Sequence, residues 1–417
     1  MSESQKDSGA DAQAGSSTTD GRSSAVGTPS AGLALDAPHA SASPVVSPGG
    51  SPVGDSQAPA ASTCVAEPPR AAGELSILPG RPSDDAARDA FVRAHPHGTF
   101  FHLSGWRRVV ERVFRHEPSD WIAWRGGRIV GVLPLMRTRT LLQDTQLISM
   151  PYAVYGGALG EDRDVEARLV EAARREGARE RARRIELRYL EPSGLDLLAF
   201  PLYSTFIRDL PPRVEDVLPS IPKKARAECR KARERHKLEL TEGNWYVGDL
   251  HQLFSNNKQN LGSPSLPLVW FQALQAEFGE DVVIHVVHRG KEKLSAVMSF
   301  VYGKTLLAYY AGTADRADRE YSASNFMYSA LQEWAVARGL ERFDFGRSRR
   351  GSGAFSFKEH QGFEPRDLPY QIVPLRDKRL PSFNPSNPRT ERLRRTWSRL
   401  PSWLAGQLSA PLSRYLP

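Results

Sequence analysis

Hydrophobic and polar positions along this chain change period several times, and each change marks an element. Apolar residues alternate with polar ones on both sides of Arg125-Gly126 in Trp121–Met136, and of Arg289-Gly290 in Val282–Gly303. That is the pattern of two β-hairpins turning on an arginine-glycine pair. Each hairpin leads into an apolar strand that ends in small residues: LISMPYAVYGGAL, centred on Tyr155-Gly156-Gly157, and TLLAYYAGT, centred on Tyr310-Ala311-Gly312. A helical period follows each, from about Val165 to Ala182 and from about Ser324 to Arg338. Ile185–Tyr189 and the alternation Phe343-Asp344-Phe345 then read as closing strands. The order strand, strand, strand, helix, strand, given twice, predicts two mixed-sheet α/β domains of similar topology, at about 76–215 and 216–375.

Composition adds two end segments. The first 75 residues are Ser, Ala, Gly and Pro with almost no large apolar side chains, and they are predicted to stay disordered. No basic run followed by an apolar one occurs there, and no later apolar stretch is long enough to span a bilayer. Two cysteines, Cys64 and Cys229, make neither a disulfide framework nor a metal site, and His251, His285 and His288 lack metal-ligand spacing. A cytoplasmic setting is therefore expected, with no metal. Charge is placed unevenly: residues 1–75 carry about −5, Pro222–Lys237 about +6 and Arg376–Pro417 about +7. Such basic segments attract phosphate-rich partners, although the absence of stacking aromatics in Pro222–Lys237 disfavours DNA.

The densest chemistry lies in Arg342–Pro365, RFDFGRSRRGSGAFSFKEHQGFEP. A strand breaks at Gly346 and turns through Gly351 and Gly353, bringing Arg347, Arg349, Arg350 and Lys358 to its end, where sheet proteins keep their functional loops. Lys358, expected to be half-exposed and of little weight in folding, can hold a phosphate as a point charge, while Arg347 can grip one with two hydrogen bonds. Asp344 faces the opposite side of the sheet and can orient an amine or act as a base; a solvated carboxylate or an ion pair with Arg342 or Arg347 competes with that role. Gly312 is small enough to let a ligand reach the backbone, or to permit a tight contact. Tyr310, Asn325 and Tyr328 are candidates to line the same cleft, and Ser322 or Ser324 is expected to cap the helix beside them. Lys223, Lys224 and Arg230, on a predicted helix that is basic on almost every face, are candidates for a phosphate-bearing ligand, with a solvated surface as the alternative. In the last segment Trp397, Leu400, Trp403, Leu404 and Leu408 lie at helical spacings among arginines, broken by prolines 401 and 411. It reads either as a strap across the domains or as a contact with a membrane interface.

Several stretches together resemble the Fem-type peptidyltransferases among the GNAT-like acyltransferases. They are SMPYAVYGGAL with IELR, KKARAECRKARERHKLEL, SASNFMYSALQEWAVARG and FDFGRSRRGSGAFSFK. FNPSNPRTERLRRTWSRLPSWLAGQL is most like the tail of FemAB-related proteins that accompany exosortase/PEP-CTERM exopolysaccharide systems. The resemblance implies two tandem GNAT-like (acyl-CoA N-acyltransferase) domains that transfer an acyl or aminoacyl group from acyl-CoA or aminoacyl-tRNA. The acceptor would be an amine or hydroxyl of an anionic glycan or nucleotide-linked precursor of a cell-surface polysaccharide, or a related metabolite. Contact with the inner membrane surface is compatible with that setting. Lys358, Asp344 and Arg347 would be the catalytic group. The glycine-rich pyrophosphate loop of acetyl-CoA enzymes reads ADREYSASN here, which tilts the donor toward aminoacyl-tRNA or another acyl carrier, and the aromatic-glycine pair expected after the lysine reads Gln361-Gly362. Two other classes stay open: a catalytically silent scaffold in polysaccharide export, and a basic RNA- or lipid-binding module.

Overall fold

The computed structural model describes residues 73–141, 143–376 and 388–416. Its first half runs β1 (Leu75–Pro79), α1 (Asp85–Ala94), α2 (Ser104–Phe114), β2 (Trp121–Arg125), β3 (Arg128–Leu133), β4 (Met136–Arg139), β5 (Thr145–Ile148), α3 (Arg163–Arg179) and β6 (Arg184–Leu187). The β2–β3 hairpin turns on Gly126 and Gly127 at φ 56° and 81°, a region that side chains other than glycine enter with strain. α3 begins at Asp162, whose carboxylate accepts the Val165 amide at 2.9 Å. Val165, Leu169 and Ala173, one turn apart, are then buried against the first sheets. β5 and β6 are parallel, with Leu147 opposite Ile185 and Ile148 opposite Glu186.

The remainder contains β7 (Ile207–Asp209), α4 (Lys223–Glu234), β8 (Glu239–Glu242), α5 (Val247–Asn260), α6 (Leu268–Phe278), β9 (Val282–Arg289), β10 (Glu292–Tyr302) and β11 (Thr305–Thr313). It continues with α7 (Ala323–Ala337), β12 (Arg342–Asp344), α8 (Gly353–His360), β13 (Gln371–Pro374), α9 (Pro388–Ser398) and α10 (Ser402–Ser413). The second sheet has the order β7-β12-β11-β10-β9-β8. β11 and β12 pair in parallel only from Thr305 opposite Arg342 to Leu307 opposite Asp344, whereas β11 runs on to Thr313. The two strands therefore part beyond Leu307 and leave a gap.

The halves exchange strands. β7, from the end of the first half, lies antiparallel to β12, and β13, from the end of the second half, lies antiparallel to β6. Sheet membership thus crosses the expected boundary at 215/216 in both directions. The halves also share a core in which Phe100, Phe101 and Trp106 meet Trp270, Phe300 and Tyr310; Phe100 stacks on Phe300 at 4.5 Å. Each buried ring of this kind contributes on the order of 2–3 kcal/mol, so the two halves stabilise one another.

Two expectations change, and a third is made specific. The segment through Tyr155-Gly156-Gly157 is not a strand: the chain leaves β5 at Ile148 and turns at Met150 and Tyr152, both with φ near 60°. The expected tail of residues 1–75 lies outside the described residues up to residue 72, and Leu75 already belongs to β1. The C-terminal segment forms two helices, because Pro401 stands at the N-cap of α10 and Pro411 is accommodated near its end. They pack on the second half, where Gln259 Nε2 donates to the Leu400 carbonyl at 2.6 Å and the Ser265 amide to Ser409 Oγ at 3.1 Å, and reach the first, where the Tyr152 hydroxyl donates to the Ser413 carbonyl at 3.2 Å.

Candidate active site between the halves

Strands β7, β12 and β11 present Ile207 and Asp209, Arg342 and Asp344, and Thr305 and Leu307 from one face of the second sheet, as their register requires. Phe100, Phe101 and Tyr155 of the first half stand opposite, and together these residues enclose a cavity of about 450 Å³. Arg342 and Asp209 pair at 3.3 Å, and Arg366 and Glu191, also on the wall, at 3.0 Å. Of the expected site residues, Asp344 alone lines this cavity.

Asp344 is 4% exposed and pairs with neither Arg342 nor Arg347. The Tyr155 hydroxyl donates to its carboxylate at 3.0 Å, and the Gly346 amide donates at 2.6 Å. Tyr155 also sits 2.5 Å from Thr205 Oγ1. Burial pushes the carboxyl up to about 6, although the Gly346 and Tyr155 hydrogen bonds and the charges of Lys358 and Arg366 pull the other way. A carboxyl with such a pKa is ionised at neutral pH yet basic enough to take a proton, which is the setting a general base needs. Tyr155 itself is held well above its usual range by burial and by the Asp344 charge, so it stays a hydrogen-bond donor.

Lys358 is not in a loop. Ser352 Oγ accepts the Phe355 amide and starts α8, which carries Lys358 inward to 9% exposure. Its Nζ donates to the carbonyls of Phe345 (2.7 Å), Gly346 (3.0 Å) and Arg347 (3.3 Å). Burial lowers its pKa to about 7, opposed by the nearby Asp344 charge. The half-exposed lysine expected from the sequence is thus a buried tie across the strand end that carries Asp344. Arg347 lies over the Tyr203 ring at 4.5 Å and donates to the Tyr370 hydroxyl at 3.3 Å, with no ion pair among the described residues. Tyr328 packs edge-on against Phe345 at 4.4 Å, and Asn325 Oδ1 accepts from Gln361 Nε2 at 2.6 Å, so both border the same loop.

Tyr310 and Gly312 serve packing. Tyr310 is buried in the shared core, where Trp270 Nε1 donates to its hydroxyl at 3.0 Å. A Cβ on Gly312 would come within 2.3 Å of the α5 backbone at Leu253 and Phe254, so its missing side chain admits a helix. Gly157 likewise lies against the Tyr189 ring. On α4, Lys223, Lys224 and Arg230 are exposed, but the helix is not basic all round, for Ala225, Cys229 and Ala232 form a buried face against α7. The start of α7 also differs from expectation. Neither serine side chain caps it; Asp318 accepts the Ser324 amide at 2.6 Å and the Ser324 hydroxyl at 2.9 Å, while Ser322 donates to Glu228. Asn257 takes both backbone groups of Thr313 at the free edge of β11, accepting its N–H at 2.9 Å and donating to its C=O at 2.8 Å. Sequence reasoning missed Tyr155, Thr205, Arg366 and Asn257 as site residues. Only Tyr155 left a trace, through its place in the repeated Tyr-(Gly/Ala)-Gly pattern.

Among the described residues no three of His, Cys, Asp or Glu are grouped to hold a metal, and no helix is long and apolar enough to cross a membrane. A central strand parting from its parallel neighbour, with a helix crossing between them, is the arrangement of a GNAT-type domain. Residues 220–359 match the acetyltransferase (GNAT) domain family, and the chain has the fold of two tandem GNAT-like α/β domains. FemX is similar in fold, with a TM-score of 0.55 at 13% identity over 72% of this chain and 98% of that one. Also similar are a tandem GNAT protein from the clavulanic acid biosynthesis pathway (TM-score 0.48, 12% identity, 73% of this chain and 100% of that one) and the L-PGS of Bacillus licheniformis (0.43, 15%, 73% and 96%). No curated protein matches the sequence.

Proposed function

We propose that this chain transfers an acyl or aminoacyl group onto an amine or hydroxyl of an acceptor held between its halves, with Asp344 as the general base. The observation that carries this is the buried carboxyl with a pKa pushed up to about 6 on the cavity wall, held by Tyr155 and the Gly346 amide. Asp344 takes the proton as the acceptor nitrogen or oxygen attacks the acyl carbonyl. Arg347, with no ion pair among the described residues, is the cation for a phosphate of the donor. Lys358 acts as a positioning residue that fixes the loop around the Gly346 amide. Lys223, Lys224 and Arg230 supply a diffuse field that gathers a phosphate-bearing partner.

The donor proposed is an aminoacyl-tRNA or another acyl carrier rather than acetyl-CoA. A pyrophosphate at the start of α7 would meet the Asp318 carboxylate, which already accepts from Ser324 there. For the acceptor, the resemblance of the C-terminal segment favours a cell-surface polysaccharide precursor, acylated in the cytoplasm where such donors are made. A screen of charged tRNAs and acyl-CoAs against amine- and hydroxyl-bearing sugar nucleotides tests this. Transfer by wild type that is lost in a folded Asp344→Asn variant supports the proposal, and equal transfer by both removes Asp344 as the base.

A further inference from the structure

We propose that the face made by α9, α10 and the neighbouring ends of α5 and α6 docks on an anionic lipid surface. This rests on surface features outside the cavity that Asp344 lines. α10 is built inside out for a strap on a globular surface. Its buried positions are Ala405, Ser409 and Ser413, whereas Trp403 is 67% exposed and Leu408 also faces solvent. Ten large hydrophobic residues are exposed among the described residues, and five of them, Leu261, Val269, Leu393, Trp403 and Leu408, belong to this region.

Three of them, Val269, Leu393 and Trp403, flank one cavity of about 330 Å³ between α10 and the α5–α6 pair. Val269 and Trp403 are chain neighbours of the lining residues Leu268 and Ser402, and Leu393 lies one helical turn before the lining residue Trp397, while Leu408 is exposed on the outer face of α10. Among the described residues no Asp, Glu, Lys or Arg lines the cavity, and none accepts from the buried Trp397 indole N–H. An apolar rim around an uncharged polar hollow suits the boundary between lipid headgroups and acyl chains.

Charge selects the kind of lipid. From residue 388 to 416 the sequence holds six arginines and one acidic residue, Glu391. Glu391 is engaged by Arg395, and Arg394 donates to the Leu261 carbonyl, whereas exposed Arg392 and Arg399 form no ion pair among the described residues. Arginines beside exposed tryptophan and leucine are the combination that holds an amphipathic segment at an anionic interface.

The test uses the full chain, sedimented with phosphatidylcholine vesicles with and without phosphatidylglycerol. Binding should require phosphatidylglycerol, and Trp403→Ser with Leu393→Ser should weaken it by about tenfold or more. Arg392→Glu with Arg399→Glu should weaken it similarly while changing only exposed charges. Trp245→Ser is the control: this side chain is 75% exposed just before α5, about 20 Å along that helix from Leu261, and its loss should change nothing. Unchanged binding in both double variants overturns the proposal, as does equal binding to vesicles without phosphatidylglycerol. A concentration-dependent dimer that the same substitutions abolish, without vesicle binding, overturns it in favour of self-association.

Discussion

Glu186 and Asp344 occupy equivalent places in the two halves. Each lies on the short strand paired in parallel with its central strand, Glu186 opposite Ile148 and Asp344 opposite Leu307. Their surroundings are opposite. Burial alone would raise Glu186, but the Arg188 guanidinium at 2.8 Å, aided by Arg184 and Arg347, outweighs it and holds the carboxyl below its usual range. Arg188 in turn donates to the carbonyls of Met150 and Ala153, which locks the turn after β5. Asp344 has a tyrosine and an amide where Glu186 has an arginine, and it faces a cavity. One fold, used twice, thus holds one buried carboxyl below its usual range and the other above it. Pairing or leaving unpaired a single buried charge separates the two states.

The largest test of this contrast is Asp344→Asn, expected to lower transfer by about 10²–10⁴-fold, the usual share of a general base. Its folding should not suffer. A carboxyl raised from 3.8 to about 6 favours the folded state below pH 3.8, and that contribution is lost as pH rises through 6. The variant should therefore melt at or above the wild-type temperature at pH 7–8. In wild type, kcat/KM should fall on the acid side of about pH 6, and a profile flat through that region would break the assignment.

Glu186→Gln should reverse the pattern. Losing the anion leaves Arg188 buried and short of a partner, a loss of about 3 kcal/mol by urea titration, the low end for a broken buried pair because two carbonyls remain. Because the Glu186 pKa is depressed, its stabilisation is present above 4.5 and lost as pH falls below that value. Asp344 and Glu186 should then show opposite slopes of stability against pH. Slopes of the same sign would end the comparison.

Lys358→Met keeps length and removes the donor to three carbonyls, so a loss of about 1–3 kcal/mol is expected. Wild-type stability in this variant would return Lys358 to the surface role that the sequence suggested.

Much of this contrast was hidden in the sequence for physical reasons. The helices after the central strands begin and end within a few residues of their predicted bounds, because apolar periodicity and capping are local. The hairpins were legible through Gly126 and Gly290, which take positive φ at the turns. Tyr155–Gly157 misled because a buried irregular segment is as apolar as a strand. The strand exchange left no signal, since β7 and β13 are three and four residues long, too short for an alternation to be counted. Lys358 was misplaced because Ser352 starts a helix where three glycines suggested only a loop. Tyr155 and Asp344 meet across 189 residues, and no local rule pairs them.

The smallest test concerns a feature in which the halves agree. Asp162 caps α3 through the Val165 amide, and Asp318 caps α7 through Ser324, so both helices that follow a central strand start on a carboxylate. Asp162→Ala and Asp318→Ala should each cost about 1 kcal/mol, the usual value of a lost N-cap. Beyond that they should part. Asp162 caps a helix of the half without the proposed base, so only stability should change there. Removing Asp318 opens helix amides beside the β11–β12 gap, and a free phosphate or acyl-CoA should then bind the variant more tightly than wild type. A gain of a few-fold in acyl-CoA affinity at Asp318→Ala, measured by titration calorimetry and absent at Asp162→Ala, means that this carboxylate excludes the nucleotide donor. Equal affinities in both variants and wild type mean that donor choice is made elsewhere in the gap.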